Sequence, residues 1–205
     1  MSARPSQTYL TVAEFLSLEE SSTTKYEYLG GVIHAMAGAS DPHNIISFNL
    51  AGMLYNRLRG RRCSGYGPDM KLRLQHPSSG KTYFYYPDAM IACNPSDVGH
   101  GWREQPAALF EITSDSTRQI DEREKRAAYL GLGSLEAYVR IEQDRPEVIV
   151  ERRTLEDWKI EVFAGLEAVV RLPTLEIDLP LAELYERVTF PNPTEPSASE
   201  SSGSA

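Results

Sequence analysis

Two carboxylates stand where an apolar strand would ordinarily carry none: Asp88 in the pair Pro87-Asp88, and Glu111 within Phe110-Glu111-Ile112-Thr113. A carboxylate late in such a strand costs free energy unless something compensates it. Two of them on neighbouring strands make a site for a hard divalent cation, because Mg²⁺ prefers carboxylate, carbonyl and water oxygens. Asp88 and Glu111 are the expected ligands. Alternate residues of an extended segment share a face, so Glu111 projects with Leu109 and Thr113, and the Ile112 carbonyl lies close enough to be the third oxygen. Such a cation suits phosphodiester hydrolysis, which needs an activated water, neutralised charge in the transition state and help for the leaving oxygen.

Several elements must hold these groups. Thr11-Val-Ala-Glu14 reads as a capping box opening a short amphipathic helix to about Glu20. Tyr26 to Leu29 and Val32 to Met36 flank Gly30-Gly31, the pattern of a tight hairpin. Asp41-Pro42 gives an N-cap and a first-turn proline for a long helix to about Arg59, with Ile45, Ile46, Leu50, Met53, Leu54 and Leu58 at helical spacing. Met70, Leu72 and Leu74 alternate as in a strand, and Tyr83 to Cys93 and Ala107 to Thr113 read as central strands. Proline cannot donate to a ladder, so Pro87 marks an edge, strand start or bulge that aims Asp88 into a cleft.

Arg118 to Leu130 reads as a second long helix, stopped by Gly131 and Gly133, with strands at Ala137 to Ile141, Val148 to Arg152 and Trp158 to Phe163 and a last short helix within Leu181 to Arg187. The order of elements is that of an α/β fold: a mixed β-sheet flanked by helices in one domain, 11–188. A flexible N-terminus, 1–10, precedes it, and a disordered tail rich in Pro, Ser, Glu and Gly, 189–205, follows.

At 205 residues, 41% hydrophobic and 24% charged, the composition is that of a soluble globular protein, without the roughly 18 apolar residues in a row that span a membrane. No secretory signal is evident, and Cys63 and Cys93 are expected as buried thiols, with one disulfide between them as the alternative, so the cytoplasm is the expected location. The net charge of −8 argues against a coat of basic surface, although Arg57, Arg59, Arg61 and Arg62 cluster at the end of the long helix. Cations there also suit the helix dipole. The four consecutive aromatics Tyr83 to Tyr86 read first as core packing and second as a base-stacking surface. His34, His76 and His100 show no zinc-ligand spacing.

Tyr26-Glu27, Gly31, Ile33, Met36, His43, Pro87-Asp88, Glu111-Ile-Thr-Ser-x-Ser-Thr117, Asp121, Lys125, Tyr129 and Glu136-Ala-Tyr-Val139 follow one another in an order that resembles the bacterial "putative restriction endonuclease" family. That family, formerly a domain of unknown function, lies in the PD-(D/E)XK nuclease superfamily, and the resemblance runs from about Thr11 to Val188. It implies a restriction-endonuclease-like fold, a DNA substrate, Mg²⁺ or Mn²⁺ as cofactor, and a homodimer. It supports the ligand set Asp88, Glu111 and Ile112.

One position departs from the superfamily pattern. Its Glu-x-Lys half-motif places lysine where this chain has Thr113, and the resemblance puts the replacement on the following helix at Lys125, with Lys71 a second candidate. Asp121, Lys125 and Tyr129 share one helix face, and an ordinary Asp121 to Lys125 surface pair is the plainer reading. Glu27 and His43 complete the implied catalytic set, His43 as a neutral hydrogen-bonding group in the first turn of its helix. The competing reading is a nucleic-acid-binding module that keeps the nuclease fold but has little catalysis. A third is an assembly protein whose sheet forms a dimer.

Overall fold

The computed structural model describes residues 9–36, 38–98, 101–113 and 121–190, with backbone alone at 121–123. Helix α1 (Val12–Ser21) begins with the expected capping box: the Thr11 hydroxyl accepts from the Glu14 N–H, and the Glu14 carboxylate accepts from the Thr11 N–H at 2.8 Å. Two donors that a helix start leaves open are thereby satisfied. Strands β1 (Tyr26–Leu29) and β2 (Val32–Ala35) form the expected hairpin, turned by Gly30 and Gly31 at φ of 59° and 118°. Only glycine takes that path without a Cβ penalty. In α2 (Asp41–Leu58) the cap is Ser40, whose hydroxyl accepts from the His43 N–H, so Asp41 sits one residue inside the helix and is not its cap.

Next come β3 (Ser64–Tyr66), β4 (Lys71–Gln75), β5 (Thr82–Tyr85), β6 (Ala89–Ala92), β7 (Trp102–Arg103) and β8 (Pro106–Thr113). The stretch Tyr83 to Cys93, read above as one strand, is two, because the chain leaves one sheet at Pro87-Asp88 and enters another. Residues 118–120, the expected first residues of the second long helix, lie outside the described residues, as do 114–117 of the Thr117 motif. Helix α3 is described as Asp121–Leu130. There follow β9 (Ala137–Glu142), β10 (Glu147–Arg153), β11 (Trp158–Ala164), β12 (Val169–Leu172), β13 (Ile177–Pro180) and α4 (Leu181–Leu184). The expected tail lies outside the described residues from 191 onward, as does the N-terminus through residue 8.

The expected α/β fold with mixed pairing is present, its strands arranged as two mixed sheets and a hairpin: β2-β1-β5-β4-β7, β11-β10-β9-β8-β6-β3, and β12-β13. β8 and β9 are parallel. A parallel pair needs a crossover, and α3 lies in it. β8 is buried along its whole length. Phe110 and Ile112 pack with Ile46, Leu50, Met53 and Leu54 of α2, while Leu109 packs with Ala128 and Tyr129 of α3. The aromatic run obeys the same alternation: Tyr83 and Tyr85 face α3's side, Phe84 faces Phe15 and Tyr28. Their burial favours core packing over base stacking.

Cys63 and Cys93 are joined in a disulfide, contrary to the expectation of two thiols. They flank the antiparallel β3–β6 pair, where Ser64 stands opposite Ala92, so the next residues outward also meet. The bond removes the cysteines as an argument for a reducing compartment. Among the described residues, no helix is long and apolar enough to cross a membrane.

Candidate functional site

The end of β8, the Pro87-Asp88 break, the first turn of α2 and the middle of α3 converge on a cleft of about 910 Å³. Asp88 stands at its floor, with one carboxylate oxygen accepting from the Ile112 N–H at 2.7 Å and the other 3.1 Å from His43 Nε2. Beyond Phe110, β8 has no β6 partner, so Asp88 takes the place the next strand residue would hold. The N–H and C=O of one strand residue point to the same side. Gln143 donates to the Thr113 carbonyl on the β9 side, so the Ile112 carbonyl, one residue away, faces the Asp88 side.

Glu111 projects toward α3, where the Tyr129 hydroxyl donates to its Oε1 at 2.8 Å and the Lys125 ammonium lies 3.6 Å away. Lys125 and Tyr129 are one turn apart and therefore reach the same carboxylate. The Lys125 Nζ also lies 2.8 Å from Glu27 Oε1, which is the acceptor for the Tyr86 N–H at 3.4 Å. Glu27 of β1 is thus bound directly to Lys125 of α3, whose ammonium stands between carboxylates of the two sheets.

Three carboxylates, Glu27, Asp88 and Glu111, act on one ammonium. Burial first, then the charges of Asp88 and Glu27, push the Glu111 carboxyl up to about 7, against the opposing pull of Lys125 and the Tyr129 hydrogen bond. Burial alone would lower the Lys125 ammonium, but Glu111 and Glu27 outweigh it and hold Lys125 protonated. Tyr129 is raised well above the usual phenol range by burial and by Glu111, so it remains a donor. For His43, burial disfavours the cation, yet the hydrogen bond and charge of Asp88 raise it above its ordinary value. The hydrogen-bonding role expected of His43 has Asp88 as its partner, and that contact draws the imidazole upward against the effect of the helix start.

These shifts set a pH dependence for the metal-free protein. Glu111, raised in the folded state from 4.5 to about 7, contributes stability that is fully present below the unfolded value and lost as pH rises through about 7. His43 has the same sign above 6.5. The melting temperature should fall between about pH 5 and pH 8, and Glu111→Gln should flatten that slope in a metal-free thermal melt. A melting temperature that rises with pH over this range would contradict the assignment.

Other expected residues lie elsewhere. Lys71 is paired with Glu19 at 2.6 Å and takes no part in the cleft floor. Arg57 of α2 binds Glu183 of α4 at 2.8 Å, and Arg61, just past α2, binds the Glu176 carbonyl in the turn of the β12–β13 hairpin at 3.0 Å, so half of the arginine cluster is engaged with the C-terminal elements. The Asp121 side chain of the expected Asp121 to Lys125 pair lies outside the described residues. Sequence reasoning placed Tyr129 on the correct helix face but assigned it no task. Its spacing from Lys125 was the available signal.

Among the described residues, no group of three or more His, Cys, Asp or Glu side chains is arranged to hold a metal ion. The donor set here is instead two carboxylates with a peptide oxygen beside them. Hard oxygen donors and an excess of negative charge over one lysine fit a Mg²⁺-like cation, which commonly keeps several waters and needs few protein ligands.

The sequence profile of the family Uma2, described as "Putative restriction endonuclease", matches residues 12–182. An uncharacterized protein of Synechocystis sp., sll1609, is 31% identical over 137 residues, covering 65% of this chain and 75% of that protein. A second from the same organism, slr1290, is 28% identical over 183 residues, covering 88% and 94%. Among solved structures, a crystal structure from Anabaena variabilis, described as a putative nuclease belonging to DUF820, superimposes with a TM-score of 0.66 at 18% identity, covering 86% of this chain and 97% of that one. At that identity the likeness concerns the fold.

Proposed function

The chain belongs to the Uma2 "putative restriction endonuclease" family, and from that premise we propose that it is a metal-dependent endonuclease hydrolysing DNA phosphodiester bonds. The observation that carries the reading is Lys125. Its ammonium reaches Glu111 and Glu27 in the cleft that holds Asp88, and so supplies the positive charge that Thr113 cannot.

Asp88, Glu111 and the Ile112 carbonyl would hold Mg²⁺ or Mn²⁺. When bound, such an ion supplies positive charge to a phosphoryl oxygen and makes water more acidic. The protein's own groups divide the remaining work. Lys125, kept protonated, stabilises negative charge developing on the phosphoryl group and orients the attacking water. Glu27 holds Lys125 in place, Tyr129 fixes the Glu111 carboxylate, and His43 fixes Asp88 from its other oxygen. A double-strand cut needs two such centres, most simply supplied by a homodimer with twofold symmetry. Action on DNA also accords with a cytoplasmic location.

The test is cleavage of supercoiled and single-stranded DNA, with RNA as a separate arm, in Mg²⁺ and in Mn²⁺. The wild type should nick DNA in a metal-dependent manner, and Glu111→Gln should lose at least about 100-fold of that rate. A wild type inert in both metals on every substrate, yet still binding DNA, would instead favour the binding module, which the missing Glu-x-Lys lysine makes the second reading.

A further inference from the structure

Glu151 is a fully buried carboxylate on β10 that plays no part in the chemistry above. It receives two guanidinium groups. Arg126, the residue after Lys125 on α3, donates from Nε to Glu151 Oε1 at 2.7 Å and from Nη2 to Oε2. Arg140 on β9 places its Nη2 3.4 Å from Glu151 Oε1.

The register of the sheet makes the second contact unexpected. In the parallel β8–β9 ladder, Arg140 stands directly opposite Glu111. Residues in register on adjacent strands share a face at about 5 Å, so Arg140 has Glu111 as its immediate cross-strand neighbour. An arginine opposite a glutamate ordinarily pairs with it, in a fork that would occupy both carboxylate oxygens. Here Arg140 turns the other way, toward β10, where its partner across the ladder is Ile149 and Glu151 lies diagonally beyond. Arg140 Nε is buried without a hydrogen-bond partner among the described residues, as expected of a guanidinium held by only part of its fork.

We propose that Glu151 is a positioning residue: by drawing Arg140 away from Glu111 and anchoring Arg126, it leaves Lys125 as the cation at Glu111 and keeps that carboxylate available to a divalent ion. The same contact sets α3 on the sheet, because Lys125 and Arg126 are consecutive and reach opposite sides of it, toward β8 and toward β10. Glu151 touches neither substrate nor metal. Its effect passes through Arg140 and through the seating of α3.

The inference rests on the metal site proposed above, and a double-variant cycle separates the two. Manganese binding is measured by calorimetry on the metal-free wild type, Glu151→Gln, Arg140→Met and the double variant, and crystal structures of the metal-free proteins are compared. In Glu151→Gln the Arg140 guanidinium should move to within 4 Å of Glu111, a readout that needs no metal, and Mn²⁺ affinity should drop at least about tenfold. Arg140→Met should stay within about threefold of wild type, and the double variant should recover most of the affinity lost in Glu151→Gln, the remainder being the Arg126 anchor that both variants lack. Simple loosening of the fold would not be relieved by a second substitution.

If Glu151→Gln does not fold, Glu151→Asp serves. Its shorter carboxylate should give a smaller loss of the same sign, again relieved by Arg140→Met. Wild-type affinity in Glu151→Gln with Arg140 unmoved, or a double variant no better than the single one, would overturn the proposal and leave the metal site standing. A wild type that binds no Mn²⁺ would overturn the metal site, and the diversion of Arg140 would then be decided by the metal-free Glu151→Gln structure alone.

Discussion

Replacement of Lys125 with methionine should lower the rate of DNA cleavage at saturating Mn²⁺ by about a thousandfold, the scale lost when one charge-stabilising group is removed from a phosphoryl- or acyl-transfer site. Methionine keeps about the length of the lysine side chain but brings no charge, and so also gives up the ammonium's place 5.6 Å from the centre of the Tyr85 ring. Metal affinity should hold or rise, since Glu27 and Glu111 lose the ammonium that now competes for them at 2.8 and 3.6 Å. A rate that collapses while metal binding persists separates a loss of transition-state stabilisation from a loss of the metal. The metal-free variant should also be less stable by about 3 kcal/mol, because two nearly buried carboxylates lose their cation. Since Thr113 shares a face with Glu111 and is itself buried, Thr113→Lys in this background should recover part of the rate by restoring the Glu-x-Lys arrangement. A Lys125→Met enzyme within tenfold of wild type would remove the lysine from the mechanism.

The sequence made the local features of this site legible and left its long-range pairings hidden. The capping box at Thr11, the glycine turn at 30 and 31, and the helical spacing of Ile46, Leu50 and Leu54 are written within a few residues and appear as read. Pro87 signalled a distortion before Asp88, but not that it is the passage from one sheet to another. That depends on which strands pair, and pairing is decided by distant residues. The same limit explains the disulfide: Cys63 and Cys93 meet only because β3 pairs with β6. It explains Glu151 as well. Nothing near Glu151 in sequence distinguishes it from a surface carboxylate, and the guanidinium groups that meet it, Arg126 and Arg140, come from α3 and β9. The same holds for His43: the helix start around it is legible, but its partner Asp88 comes from 45 positions further along the chain.

Asp88→Asn offers the sharpest separation of chemistry from folding. The asparagine side chain matches the aspartate in shape, and its carbonyl oxygen can still accept from the Ile112 N–H that Asp88 now receives at 2.7 Å. The strand end should therefore keep its geometry. What disappears is one of the three negative charges around Lys125, and Asp88 is among the groups that push Glu111 up. The metal-free variant should consequently be as stable as wild type or slightly more so, even though His43 loses its charged partner at 3.1 Å. The metal-loaded state should show the reverse. An ion that binds only the folded protein stabilises it by RT ln(1 + L/Kd), where L is the free ion concentration, so Mn²⁺ should raise the melting temperature of wild type and leave Asp88→Asn unmoved. Mn²⁺ affinity should fall at least about 100-fold and cleavage should reach background. Opposite signs in the two conditions cannot come from general destabilisation, which would lower both melting temperatures. An Asp88→Asn protein that Mn²⁺ still stabilises as it does wild type would show that the ion sits elsewhere.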